Sequence, residues 1–269
     1  MGSSVTRRVD ANPIAKAHNP GSSLKSMNSS SPAVFIHGFI GTLDITGYAL
    51  PHAAPDLLGY GKHQAVAFDA ISLPGQVEHL RTFIDTHFAS KPVDVVGHSV
   101  GGAIAMLFAH AYPDYVRRIV NIEGNFTLGD AFWSASVGRM SPSEADAMLE
   151  GFRVDPLAWI GDSVIVPAPH LNEVAARWLA HQPASTLRAM GQSVVTTTGN
   201  DDYLTRLEQV FDRLPVYLLS GEHSREGWNL PDWALKKCAG DHTLASCGHL
   251  MMLDEPTACS TAIRRFLVE

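Results

Sequence analysis

A serine set between glycines, Gly97-His98-Ser99-Val100-Gly101, is the first place in this chain where residue types and spacing could do chemistry. A serine hydroxyl becomes a useful nucleophile when a neighbouring base takes its proton, and it then attacks carbonyl carbon. The pentapeptide alone arises by chance in roughly one chain in ten of this length, so its setting must decide. It follows the apolar run Val93–Val96 and opens a nearly all-apolar stretch, Val100 to Ala111, that Pro113 stops. Strand, tight turn and helix in that order lift the serine to a helix N-terminus, where free N–H groups and the helix dipole favour an oxyanion. The turn leaves no room for side chains on either flank, hence Gly97 and Gly101, with Gly102 allowing close helix–sheet packing.

Four segments together resemble the α/β-hydrolase superfamily across residues 33–269: Gly97–Gly101, His37-Gly38-Phe39, Leu73-Pro74-Gly75 and Gly248-His249. The resemblance implies a mostly parallel, doubly wound sheet with a helical cap inserted in it. It also implies a base on the loop after the last strand. Of thirteen histidines, His249 fits, within Ser246-Cys247-Gly248-His249 and the descent through Glu255-Pro256. The oxyanion hole maps onto the backbone N–H groups of Phe39 and Val100. His37 is expected to shape its loop, and His98 to pack beneath the elbow. The superfamily commonly begins with an antiparallel hairpin, and residues 1–32 show none, so that sheet edge is expected to be short.

The acid has two candidates. In the commoner arrangement it stands three residues after a glycine that ends a strand, but counting from Gly221 lands on Ser224, which carries no charge. Glu222 is a carboxylate one residue after that glycine. The favoured reading places the acid at the end of the preceding strand, as in haloalkane dehalogenases and zearalenone-type lactonases. There Asn121-Ile122 leads directly into Glu123. Glu123 as a mere cap or hydrogen-bond partner at the entrance to the insertion is the plain alternative.

These groups need elements to hold them. Ala33–Ile36, Val66–Phe68, Val93–Val96, Ile119–Ile122, Val216–Leu219 and Thr243–Ser246 read as strands. Helical spacing runs from Val77 to Phe88, near Trp233–Cys238 and from about Thr257. Alternation of this kind implies a parallel sheet covered by helices. Residues 33–124 and 215–269 make the core. Residues 125–214 show helical spacing at Glu144–Phe152, Val174–Leu179 and Leu204–Phe211 and read as the cap. Its aromatics Phe126, Phe132 and Trp133 are candidate pocket residues, or else the cap's own core. Residues 1–32, rich in serine, read as a mobile arm.

The bulk numbers exclude several classes. A net charge of −7 offers nothing to nucleic acid or anionic lipid. No run reaches the roughly 18 apolar residues of a membrane helix, and no signal-peptide pattern opens the chain. Cys238, Cys247 and Cys259 are too few and too late for a disulfide scaffold, which points to the reducing cytoplasm. Their spacing with His249 matches no zinc site, and no cofactor is called for. The expected partner is a small-molecule substrate, with oligomeric state left open. The expected function is a serine hydrolase cleaving a carboxylic ester or lactone of a small apolar substrate. A thioesterase or C–C bond hydrolase is the alternative on the same residues, and a non-catalytic ligand-binding member of the fold is the alternative from another class.

Overall fold

The computed structural model describes residues 31–43, 45–161 and 163–268. The expected mobile arm thus lies almost wholly outside the described residues. Six strands form one sheet in the order β2-β1-β3-β4-β5-β6, every pair parallel: β1 (Ala33–Ile36), β2 (His52–Ala53), β3 (Val93–His98), β4 (Val116–Ile122), β5 (Val216–Gly221) and β6 (Gly240–Leu244). The central strands β1 and β3 are wholly buried, which is why they read as unbroken apolar runs. Eleven helices accompany them among the described residues: α1 (Leu73–Phe88), α2 (Val100–Ala111), α3 (Phe132–Arg139), α4 (Pro142–Val154), α5 (Pro156–Gly161), α6 (Leu171–Ala180), α7 (Ala184–Thr198), α8 (Tyr203–Arg213), α9 (Asp232–Lys237), α10 (Met251–Asp254) and α11 (Pro256–Val268). Helix α2, buried from Val100 to Ala109, packs on β1, β3 and β4, and α11 packs on β4 and β6.

Three local expectations need correction. Val66–Phe68 is not a strand. It leads into a 3-10 turn at Phe68–Ala70 and stays partly exposed, while the strand beside β1 is the two-residue β2. Helix α1 begins four residues before the expected Val77, so Leu73-Pro74-Gly75 is its first turn, capped by Ser72, whose hydroxyl accepts from the Gly75 N–H at 3.1 Å. The last strand sits three residues earlier than Thr243, because Ala239 N already bonds Val216 O at 2.8 Å and sets the register.

Between β4 and β5 the described residues hold the six helices α3–α8 and no strand. Helices α3 and α7 touch where Gly138 meets Gly191. A Cβ on Gly191 would stand 2.3 Å from Ser134 O, so only hydrogen lets the two backbones meet. Helix α8 closes back on α2 and α9.

The register aligns the strand ends that matter. His98 pairs with Ile122 and Ile122 with Leu219, so Ser99 and Glu123 emerge at one level from neighbouring strands. The chain leaves β1 for β2 on one side and returns to β3 on the other. That switch point is where open α/β sheets form a crevice at the carboxyl ends of their strands.

One buried carboxylate in β3 is expected to make stability depend on pH. Asp94 is 1% exposed, and its burial raises its pKa to about 6 against the opposing pull of Arg117 and Arg118. Arg117 Nε lies 3.3 Å from Asp94 Oδ1. The folded state holds this proton more tightly than the unfolded chain, so ionising Asp94 costs stability as pH rises from about 4 to about 6. Asp94→Asn is therefore expected to gain on the wild type by a few degrees in Tm between pH 4 and pH 7. A Tm difference that stays constant over that range would refute the account.

Candidate active site

Ser99 occupies a strained turn. Its φ of 55° and ψ of −125° lie where side chains other than glycine rarely sit, and such strain persists only where neighbours enforce it. The neighbours are visible. Ser99 N donates to Ile122 O at 2.9 Å, and Gly102 N to Ser99 O at 2.8 Å. A Cβ on Gly97 would stand 2.4 Å from Gly101 O, and one on Gly101 would stand 2.3 Å from Ile36 O. Both glycines are needed for space.

The loop after β1 is fixed from several sides. His37 is buried and neutral, its pKa pushed down to about 4 by desolvation. Its Nδ1–H donates to Gly38 O at 2.9 Å, and its Nε2 accepts from Leu57 N at 3.4 Å. Gly38 C=O and Phe39 N–H share one planar trans peptide, so holding the oxygen fixes the direction of the N–H. Tyr60 hydroxyl donates to Phe39 O at 2.9 Å, and Gly41 N donates to Gln182 Oε1 at 3.1 Å. Neither Phe39 N–H nor Val100 N–H has an acceptor among the described residues. Both residues line the cavity described below.

Glu123 leaves β4 with a φ of 44° and is 5% exposed. Its Oε2 accepts from His249 Nδ1 at 2.6 Å. Its Oε1 accepts from Gly221 N at 2.8 Å and from Ser224 Oγ at 2.5 Å. Ser224, three positions past Gly221, thus donates to a carboxylate that comes from the neighbouring strand β4. Glu222 points elsewhere: its Oε2 accepts from Ser246 N at 2.9 Å on the exposed side. The structure brings Glu123 to His249 and leaves Glu222 apart.

With Nδ1–H given to Glu123, the tautomer assigned from these partners leaves a lone pair on His249 Nε2. Beneath it, His98 Nε2–H donates to His249 O at 3.0 Å, the two rings 4.6 Å apart, and burial holds His98 neutral. Gly221 closes the assembly: a Cβ there would stand 2.3 Å from Gly248 O. No hydrogen bond joins Ser99 Oγ to His249 among the described residues, and such bonds are often long before substrate arrives.

Ser99, His249 and Glu123 open on one cavity of 620 Å³, a size suited to a small-molecule ligand. Gly38, Phe39, Val100 and His98 line it from the core, and Phe132, Trp133, Phe152, Trp159 and Trp178 from the insertion. Phe126 does not. It is fully buried among Phe211, Trp228 and Trp233, with ring centroids 6.2, 6.0 and 6.1 Å away, and belongs to the core. No group of three His, Cys, Asp or Glu among the described residues is arranged to hold a metal.

Residues 33–262 match the family model described as the alpha/beta hydrolase family. The chain belongs to the alpha/beta hydrolase family. It is similar to the lipase LipV of Mycobacterium tuberculosis, 42% identical over 28% of this chain. That alignment spans only 27% of LipV, and the chain likewise covers well under half of the other lipases it matches. It is 26% identical to the 2-hydroxymuconate semialdehyde hydrolase of Pseudomonas sp. strain CF600, over 80% of this chain and 76% of that one. In fold it resembles the esterase EaEST of Exiguobacterium antarcticum, with a TM-score of 0.66, 18% identity, and coverage of 90% and 93%. No described helix of this hydrolase is long and apolar enough to cross a membrane.

Two site features of the hydrolase escaped the sequence. Ser224 cannot be charged and so gives no sign of a triad acid, although a hydroxyl at that spacing is a ready donor to a carboxylate nearby. Trp228 lines the cavity from the loop after β5, held by its indole N–H to Gly124 O at 2.8 Å, and no sequence spacing marks it.

Proposed function

We propose that this hydrolase cleaves a carboxylic ester or lactone of a small apolar substrate through an acyl-enzyme on Ser99. The observation that carries this is the 2.6 Å bond from His249 Nδ1 to a buried Glu123, beside a serine on a strained elbow in the same cavity. His249 Nε2 takes the Ser99 proton as the hydroxyl attacks the carbonyl carbon. The negative charge that develops on oxygen is met by the N–H groups of Phe39 and Val100. Glu123 stabilises the imidazolium and keeps its ring oriented. His249 then protonates the leaving alkoxide, and water repeats the sequence to release the acid. Ser224 acts as a positioning residue, holding Glu123 Oε1 turned away from the imidazole.

No step in this scheme requires a cofactor. Three unpaired cysteines, Cys238, Cys247 and Cys259, support work in the reducing cytoplasm. The similarity to a semialdehyde hydrolase over most of the chain favours C–C bond hydrolysis as the second reading, on the same three side chains.

A fluorophosphonate probe separates an enzyme from a ligand-binding member of the fold. Wild type is expected to be labelled at Ser99, and Ser99→Ala to stay unlabelled. An unlabelled wild-type protein would end the serine-hydrolase reading.

A further inference from the structure

The cavity sorts by element. One wall is a relay of rings that starts at the oxyanion loop and climbs into the cap. Phe39 meets Trp133 with centroids 5.3 Å apart, Trp133 meets Phe152 at 6.3 Å, and Phe152 meets Trp159 at 6.0 Å. Interplanar angles run from 79° to 34°, so the rings present a mix of edges and faces to whatever lies beside Ser99.

The other decisive feature is charge. Glu123 and Asp130 both line the cavity, and among the described residues its basic side chains are the histidines His98, His223 and His249, with no lysine or arginine. Asp130 is held in place by backbone donors. Its Oδ2 accepts from Phe126 N and Thr127 N at 2.9 Å each, and its Oδ1 from Asn229 N at 2.7 Å. The insertion's Arg153 and Arg188 are occupied by the main-chain oxygens of Leu179 and Met140, both at 2.9 Å. A carboxylate carried into this cavity would lose water and meet no lysine or arginine, while the carboxylates of Glu123 and Asp130 stand in the same lining.

From this we infer that the hydrolase proposed above takes an uncharged acyl group bearing an aromatic ring and rejects acyl groups that carry a carboxylate. This rests on the hydrolase reading for the bond cleaved, but the ligand class can be tested by binding alone.

The test uses Ser99→Ala protein, which binds without turnover, and reads quenching of the four cavity tryptophans, Trp133, Trp159, Trp178 and Trp228. The ligands are methyl 3-phenylpropanoate, its ring 4-carboxamide, its ring 4-carboxylate and a straight-chain methyl ester of equal carbon number. The phenyl ester should bind roughly tenfold tighter than the straight chain. The carboxamide should bind at least about thirtyfold tighter than the carboxylate, which matches it in size and differs in charge. Phe132→Lys, at a lining residue 74% exposed and so tolerant of change, should narrow that gap to about threefold by supplying a counter-charge.

A carboxylate that binds as well as the carboxamide overturns the inference, and so does a phenyl ester that fails to quench at millimolar concentration. Wild-type turnover of the methyl esters is read in parallel. Ring-selective, charge-selective binding without turnover would leave the ligand class standing and remove the hydrolase reading. Turnover with indifference to ring and charge would do the reverse.

Discussion

Alanine at Ser99 or at His249 is expected to lower kcat on an activated ester by on the order of 10³-fold or more, with melting temperature little changed. The size follows from groups that act as one unit, so that losing either removes nearly the whole advantage. The unchanged stability follows from how each residue is held. Ser99 is fixed through its backbone, by the bonds to Ile122 O and from Gly102 N, and alanine keeps both. His249 anchors His98 through its carbonyl oxygen, which alanine also keeps, and its side chain is 37% exposed, so water can take the place of the ring beside Glu123, which keeps its bonds from Gly221 and Ser224. Residual activity within tenfold of wild type in either variant, on clean protein, would dismantle the assignment of nucleophile and base.

The second large effect distinguishes two carboxylates. Glu123→Gln should cost on the order of 10²- to 10⁴-fold in kcat, the scale of losing a triad acid. The amide keeps the volume but not the charge, and it can present its NH₂ to His249 or to the Gly221 and Ser224 donors, never acceptors to all three. Glu222→Gln should cost under about tenfold, because that side chain only receives Ser246 N at the surface. Ser224→Ala should fall between, about three- to thirtyfold and mainly in kcat, since its chief bond is the one it donates to Glu123, although it also borders the cavity. The three variants are compared on one ester at pH 8. Should Glu222→Gln be the crippled one, the acid belongs after β5 and Glu123 returns to a structural part.

Much of the scaffold was legible because its demands are steric or periodic. Only glycine fits at 97 and 101, where a Cβ would meet a carbonyl oxygen at under 2.5 Å, so the elbow announces itself in the sequence. Strands buried on both faces, such as β1 and β3, write themselves as apolar runs. What failed to show is equally physical. A two-residue strand like β2 has no period to detect. Helix α7 carries Thr186, Val194, Val195 and three threonines at 196–198, types that weakly disfavour helix, and packing against α3 and α4 holds it in that form. Spacing along the chain could favour Glu123 over Glu222 but could not reveal that Ser224 turns toward it. Convergence of residues 101 positions apart is a property of the register between β4 and β5.

The single carboxylate of Asp254 grips two parts of the molecule. Its Oδ2 receives Gly248 N at 2.7 Å, next to the proposed base, and its Oδ1 receives Ile165 N at 2.8 Å, inside the insertion. Ser163 O adds a second tie by accepting Leu250 N at 3.1 Å. The insertion is therefore no interchangeable module set on a finished machine. A chimera that swapped residues 125–214 for a foreign cap would carry new walls to the cavity but would cut both ties to the loop bearing His249. Recombination within this family would have to move the 163–165 segment and the 248–254 loop together, as one heritable block, for the base to keep its place.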